Sequence, residues 1–409
     1  MAEAAAQLQR GLDQLALLAD NRERQRHELE LYSALGAALM AVKGYAAPEA
    51  GQAYARAREL WEQLGYPSEF LQVPYGQFIY HSFRRELDLA QRLAEDLLRL
   101  SLRRNDSAGI VLGHLSTGRN LMFIGRLASS RSHFEEVLAL YDPNSLHSFD
   151  HHTGVDPHVT SQTNLGVVLF CLGFPDQALA RSSAAIAEAR QLAHPPSLAG
   201  SWASGAILLS LIGESAALDE RVDRLVEVAT EQGFLHYRAE GTIYRGWSKV
   251  KNGNVVEGLF LLRSGATAYR ATGATSWVPY YIALVAAACK ISGRVEEGLA
   301  LLDEALQLSE STGERWFFAE LNRHKGQLML RLGNTKAAEE LYRKALSIAK
   351  EQEAKLWELR AAASLARLRR DQGRSAEAHD LLGPIYGWFT EGFDTPDLKA
   401  AKALLDELS

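Results

Sequence analysis

The sequence has few of the residues that cross-link a chain or interrupt its helices. Only two of its 409 residues are cysteines, Cys171 and Cys289, and both lie in apolar runs with helical spacing. Two cysteines cannot form a disulfide framework, so the composition fits a reducing compartment and predicts a cytoplasmic protein. Proline occurs 11 times, and no segment shows the alternation of apolar and polar residues that predicts a strand.

The sequence also lacks the features of several functional classes. Its net charge of −6 provides no basic surface for nucleic acid. No apolar run reaches the roughly 18 residues of a membrane span, so we expect no membrane partner. The motifs G-x-x-x-x-G-K-[ST], G-x-S-x-G, C-x-x-C and H-E-x-x-H are absent. We therefore predict a protein that is not an enzyme, with no catalytic residues, no cofactor and no metal.

Small residues recur at a fixed spacing through the second half of the chain. Glycines spaced by 40 residues are Gly173, Gly213, Gly253, Gly293, Gly333 and Gly373. Glycine at a helix end supplies the left-handed backbone conformation that terminates the helix. A second series with the same spacing is Gly166, Ala206, Gly246, Ala286, Gly326 and Ala366. We expect these residues in mid-helix, where a partner helix packs closely.

The two series predict an all-α, right-handed superhelical solenoid of antiparallel helix pairs (TPR-like), with units of about 40 residues, about nine repeats and about nineteen helices. We expect one such array over residues 1–409. Degenerate N-terminal repeats would occupy residues 1–140 and an inserted loop residues 141–158. The regular 40-residue repeats would occupy residues 159–392, and a C-terminal capping helix residues 393–409.

The predicted loop raises the question of a metal site, because it is rich in histidine and aspartate. Gly125 and Gly173 lie 48 residues apart rather than 40, so the loop adds eight residues to the length of a regular unit. His151 and His152 are adjacent, whereas two ligands on one helix are usually four residues apart. We predict a structural loop at 141–158 without metal, and metal binding is the alternative.

Helix pairs with small residues and glycine-led turns resemble tetratricopeptide repeats. A closer resemblance is to the C-terminal repeat region of bacterial STAND-class signalling ATPases, many of which carry a class III adenylate/guanylate cyclase domain. A more distant one is to the superhelical domain of the maltose-regulon activator, which binds its inducer sugar. The segments that carry the resemblance are GFPDQALARS (173–182), GTIYRGW (241–247), AYRATGA (268–274) and YGWFTEGFDTPDLKAAKALLDEL (386–408).

The resemblance implies a sensor or scaffold module whose partners include upstream ATPase or cyclase domains of the same polypeptide. Residues 2–19 read as the second helix of a pair without its first, so we expect a chain cut from a longer protein. Two other functions stay open. One is a stand-alone peptide-binding adaptor, and the other is a receptor for a small, sugar-like molecule.

The inner face of the superhelix is the predicted binding surface for a protein or peptide partner. Helix positions around the small-residue series should point inward, and a basic cluster near the C-terminal end would suit an acidic peptide or phosphate. A solvated basic face is the alternative. The predicted groove residues are Phe170, Trp247, Lys290, Arg323, Gln327, Arg360, Arg367 and Arg370.

Overall fold

The computed structural model describes residues 2–141 and 156–409, and these residues form twenty α-helices, one 3-10 helix (Ser68–Phe70) and no strand. The all-α prediction is confirmed. Before the gap lie α1 (Ala2–Leu15), α2 (Arg22–Lys43), α3 (Pro48–Gln63), α4 (Gln72–Phe83), α5 (Leu87–Arg104), α6 (Ser107–Ile124) and α7 (Leu127–Leu140).

After the gap, thirteen helices follow with short connections. They are α8 (Pro157–Leu172), α9 (Pro175–Gln191), α10 (Pro195–Ile212), α11 (Ser215–Glu231), α12 (Leu235–Lys251), α13 (Val255–Ala271), α14 (Val278–Ile291), α15 (Val295–Thr312), α16 (Phe318–Arg331), α17 (Thr335–Glu351), α18 (Lys355–Asp371), α19 (Ser375–Tyr386) and α20 (Pro396–Leu408).

Consecutive helices pack as pairs across tight turns. In the described ranges, α2 to α19 form nine pairs, while α1 packs on α2 and α20 packs against α18 and α19. The turn glycines behave as predicted. Gly173, Gly213 and Gly373 adopt φ of 96°, 94° and 76°, a region that residues with a Cβ enter only at a steric cost. Each therefore ends the first helix of its pair and lets the chain reverse.

Successive turns of the superhelix pack directly on one another. Backbone nitrogens of the loop before α14 and of the loop before α16 donate to carbonyl oxygens at the ends of α4 and α6. Thr275 donates to Phe83 over 2.9 Å, and Arg315 donates to Phe123 over 2.7 Å. Thr275 and Phe83 are 192 residues apart in the sequence, and the Arg85–Glu314 pair described below is separated by 229 residues. The interior of the superhelix is consequently narrow.

A buried ion pair joins the two turns. Arg85, at the end of α4, donates through Nε to Glu314 over 2.7 Å, and both side chains are almost fully buried. The other carboxylate oxygen of Glu314 accepts from the Trp277 backbone nitrogen and from the Trp316 indole nitrogen, at 3.2 and 3.0 Å. Both carboxylate oxygens of Glu314 therefore accept hydrogen bonds, which a buried carboxylate requires, whereas Nη2 of Arg85 is buried without a hydrogen-bond partner among the described residues.

Candidate functional site

Two cavities lie inside the superhelix. The first has a volume of about 430 Å³ and is lined mainly by α2, α4, α6, α8, α10 and α12, which are the first helices of six consecutive pairs, and also by Tyr54 of α3 and by Trp277 just before α14. The second has a volume of about 330 Å³ and is lined by α10, α12, α14, α16, α18 and α20. Along α10, Ile207 lines the first cavity and Ser210, one helical turn later, lines the second.

The second cavity brings together several residues that the sequence predicts for the groove. Four of them line it: Trp247, Arg323, Arg360 and Arg367. Two more, Lys290 and Gln327, lie on α14 and α16, which both line it, and they are joined by a hydrogen bond of 2.5 Å from Nζ to Oε1. Burial, aided by Arg323, lowers the pKa of Lys290 to about 8.

Phe170, Lys290, Gln327 and Arg370 are not among the residues that line this cavity, and the structure corrects the expectation for Phe170. Phe170 is only 1% exposed, and its ring packs edge-on against Trp357 with the centroids 5.8 Å apart. The next superhelical turn covers it, so it belongs to the core. Arg370 lies at the surface and pairs with Glu407 of the C-terminal helix, where its charge is already compensated.

A buried carboxylate organises two of the arginines in the second cavity. Glu320, with a side chain 1% exposed, accepts two hydrogen bonds from Arg323 at 2.5 and 2.8 Å and one from Arg360 at 3.1 Å. Arg360 also donates to both oxygens of Asp397, at 2.9 and 2.7 Å, and to the carbonyl oxygen of Leu211. Arg360 therefore links α18 to α10, α16 and α20, whereas Arg323 pairs with Glu320 within α16.

The protonation state of this network follows from its contacts. Burial alone would raise the pKa of Glu320, but Arg323 and Arg360 outweigh burial and hold that pKa at about 2. His324 is partly buried, and burial together with Arg323 holds the pKa of its imidazole well below the usual value. Glu320 is therefore ionised and His324 neutral at pH 7.

Arg367 differs from its neighbours because no carboxylate of residues 2–141 or 156–409 lies in ion-pair distance of it. Burial and the nearby Arg323 and Arg370 lower the pKa of Arg367. The cavity is lined by four cations, Lys251, Arg323, Arg360 and Arg367, but by only two carboxylates, Glu320 and Asp397. Because Glu320 and Asp397 are paired with Arg323 and Arg360, the positive charges of Lys251 and Arg367 remain along the cavity wall.

The first cavity contains residues that the sequence interpretation missed. Arg119 of α6 lines it, and its guanidinium lies over the Phe83 ring, 4.6 Å from the centroid. Arg119 is the only lysine, arginine, aspartate or glutamate in α6. A lone charge in an otherwise apolar helix is the signal that could have identified it, because an unpaired buried charge is costly.

A second ionisable pair faces the first cavity from α12. Glu240 accepts a hydrogen bond of 2.8 Å from the Tyr281 hydroxyl, and His236 Nε2 lies 3.8 Å from the same carboxylate. Burial raises the pKa of Glu240 to about 7, and burial together with Arg119 lowers that of His236 to about 3. His236 is thus neutral at pH 7, and Glu240 is close to half protonated.

The histidine- and aspartate-rich loop lies largely outside the described residues, which resume at Asp156. The described ends of the loop have structural contacts. Asp156 caps α8 by accepting from the Val159 backbone nitrogen over 2.7 Å and also accepts from the Tyr141 hydroxyl over 2.7 Å. His158 pairs with Glu188 over 2.8 Å. These contacts account for one aspartate and one histidine of the stretch.

The described residues contain neither a cluster of metal-binding side chains nor a membrane-spanning helix. Outside residues 142–155, no group of three or more histidine, cysteine, aspartate or glutamate side chains is placed to hold a metal ion. Within the same part of the chain, no helix has the length and apolar character to cross a membrane.

Known proteins share this architecture. The tetratricopeptide repeat profile matches residues 280–351. An uncharacterized protein of Rhizobium meliloti (strain 1021) is 25% identical over 346 residues, which cover 83% of this chain and 33% of that protein. The chain thus spans a third of the length of this relative.

Two solved structures also align along most of the chain. The Rap protein complexed with Competence and Sporulation Factor aligns with a TM-score of 0.55 and 13% identity, covering 84% of this chain and 98% of that one. The apo form of the quorum sensor NprR from B. thuringiensis aligns with a TM-score of 0.50 and 13% identity, covering 90% and 99%. The chain therefore has the fold of a tetratricopeptide-type helical-repeat protein.

Proposed function

We propose that this chain is a non-catalytic interaction module that binds an acidic peptide segment of a partner protein in the second cavity. The observation that carries the proposal is the uncompensated charge of Arg367. Its side chain is exposed to solvent where it lines the second cavity, and the nearby carboxylates are held by other arginines. Guanidinium groups bind carboxylates through two parallel hydrogen bonds, which gives both affinity and orientation.

The surroundings of Arg367 support a peptide as the occupant. Trp247 and Tyr280 line the same cavity, and large flat side chains supply contact area for an extended segment. Repeat arrays commonly bind partners along their inner surface. The Rap protein, which has the same fold, is complexed with Competence and Sporulation Factor in its structure.

Selection from a displayed library of random peptides tests this proposal. The wild-type chain should enrich peptides with clustered aspartate and glutamate, and the enriched peptides should lose binding to Arg367→Ala. Arg370→Ala is the matched control, because Arg370 is an arginine of the same helix that lies outside the cavity and is paired at the surface. It should bind the peptides as the wild type does.

Two results would refute the proposal. One is enrichment without acidic residues, and the other is equal binding of the enriched peptides to wild type and Arg367→Ala. Both variants alter a surface or cavity-wall residue, for which the expected stability change is under ~0.5 kcal/mol. Circular dichroism of each variant would confirm that lost binding does not come from lost folding.

We further propose that the module is the sensor region of a larger bacterial signalling ATPase. The support is the resemblance of segments such as 386–408 to the repeat regions of such proteins, and the greater length of the Rhizobium meliloti relative. The reading frame that precedes residue 1 tests this: a G-x-x-x-x-G-K-[ST] motif after a predicted strand is expected. A reading frame without an ATPase would favour the stand-alone adaptor.

A further inference from the structure

The first cavity has the features of a ligand site that is separate from the proposed peptide site. It is the larger of the two cavities, at about 430 Å³, which lies within the size range of small-molecule pockets. Its wall contains seven aromatic side chains, which are Tyr45, Tyr54, Tyr75, Phe83, Phe234, Tyr237 and Trp277.

Arg119 is the one arginine or lysine among the described residues that line this cavity. No described carboxylate lies in ion-pair distance of it, and its Nε atom is buried without a hydrogen-bond partner in the described structure. Its contacts are instead with ring faces: the guanidinium lies 4.6 Å from the centroid of Phe83 and 5.7 Å from that of Phe123. Ring faces orient a guanidinium but leave its donors unused.

Two further polar atoms of the same wall are buried without partners among the described residues. They are the Tyr75 hydroxyl oxygen and His236 Nδ1. Buried polar groups in proteins are nearly always hydrogen-bonded, and those that are not need a specific explanation. Three such atoms lie around one cavity, next to a cation that has no described ion-pair partner.

We propose that the first cavity binds a small amphipathic carboxylate, with the carboxylate on Arg119 and an apolar body against the aromatic wall. A single guanidinium matches a single carboxylate in charge and in its paired donors. A phosphate, with nearly two charges, would leave one uncompensated. Glu240 across the cavity further disfavours a second negative charge, because like charges repel strongly in a partly enclosed site.

Calorimetric titration with matched acids and amides tests the proposal. The probes are naphthylacetate and decanoate, which differ in having an aromatic or an acyl body, and the neutral amide of each. The wild-type chain should bind at least one acid about tenfold or more tightly than its amide, as expected for a charge-assisted hydrogen bond. Arg119→Met should remove this preference, and Arg119→Lys should retain part of it.

Two controls separate this site from a folding defect and from the second cavity. Amide affinity should be the same in Arg119→Met and wild type, because the amide uses the aromatic wall and not the charge. Arg367→Ala should leave acid binding unchanged while removing acidic-peptide binding. The test of acid binding at Arg119 and the test of acidic-peptide binding at Arg367 are therefore independent, and either proposal can fail without affecting the other.

Several outcomes would overturn the proposal. These are equal binding of acid and amide by wild type, no binding of any probe, and an acid preference that survives Arg119→Met. Binding of peptides through a free C-terminal carboxylate at Arg119, without binding of the small acids, would also overturn it, because the occupant would then be a peptide end.

Discussion

Replacement of Gly246 by alanine tests how closely the paired helices approach. Gly246 on α12 faces Gly258 on α13. A Cβ at position 246 would lie 2.6 Å from the Leu262 backbone nitrogen and 2.8 Å from the Gly258 carbonyl oxygen. Both are backbone atoms, so no side-chain rotation relieves the clash. The two helices would have to move apart and loosen the contacts along their interface.

The expected magnitude combines two opposing effects. Overpacking of a tight contact costs about 1–3 kcal/mol. Alanine gains about 0.5–1 kcal/mol over glycine in a helix interior, because glycine loses more backbone freedom on folding. With backbone on both sides of the contact, we expect a value near the upper end of the overpacking range. The net loss of stability should be about 2–2.5 kcal/mol.

Gly166→Ala is the matched control, because Gly166 holds the same place in an earlier unit. A Cβ there would have the Ala178 carbonyl oxygen as its nearest neighbour, at 3.2 Å, which small shifts can accommodate. Its stability should change little or rise slightly. Urea unfolding, monitored by circular dichroism, gives the unfolding midpoint of each variant. Equal midpoints for the two variants, or for Gly246→Ala and wild type, would refute the close-packing argument.

Three other predictions concern protonation and metal. Glu240 binds its proton more tightly in the folded chain, where its pKa is about 7. The free energy of unfolding should therefore fall as the pH rises from about 4.5 to 7, by up to about 1.4 kcal/mol per pH unit. The Glu240→Gln variant should lose this pH dependence, measured as the midpoint of urea unfolding at each pH. If wild type and variant show the same slope, Glu240 is not the group responsible. Glu320, with a pKa of about 2, stabilises the fold at neutral pH and loses this contribution as the pH falls towards 2. Glu320→Gln should therefore cost about 3–5 kcal/mol at pH 7, measured by urea unfolding, and less near pH 3; a cost independent of pH would contradict the ionised pairing. Elemental analysis of untagged protein should find less than about one zinc per ten chains, whereas full occupancy that is lost on replacing His151 and His152 would establish a metal site in the 141–158 loop.

The repeat architecture could be predicted from the sequence because its determinants are local. A turn glycine such as Gly213 is required by the backbone conformation of its own residue, which has φ of 94°. A small residue such as Gly246 is required by the neighbouring helix of its own pair. Both requirements apply in every unit, so small residues recur in the sequence every 40 residues. Helix α20 was likewise predictable from its own apolar spacing.

The stacking of superhelical turns could not be predicted in the same way. The Arg85–Glu314 pair joins residues 229 apart, a separation that is not a multiple of the 40-residue period. Such contacts depend on how many units complete a turn, which the helix pattern does not specify. For this reason Phe170 was predicted to face an open groove, although the second turn covers it. The hydrogen bond from Arg360 to the carbonyl oxygen of Leu211, 149 residues earlier, was missed for the same reason.

Arg119 could have been predicted as a groove residue from the small-residue series. The small-residue series was followed only from Gly166 onwards. Gly118 lies 48 residues earlier, which is the 40-residue period plus the eight surplus residues of the 141–158 loop. Arg119 therefore holds the position in its unit that Trp247 and Arg367 hold in theirs, and all three line interior cavities. Correcting the period for an insertion would have placed it among the groove residues.

The most direct test of the central claim is a crystal structure of the chain with an acidic peptide from the selection. The account predicts that the peptide lies in the second cavity between α12, α16 and α18. It also predicts that a peptide carboxylate lies within about 3 Å of the Arg367 guanidinium, the usual distance of such pairs. A peptide bound on the outer face of the superhelix, with Arg367 free of it, would contradict the claim.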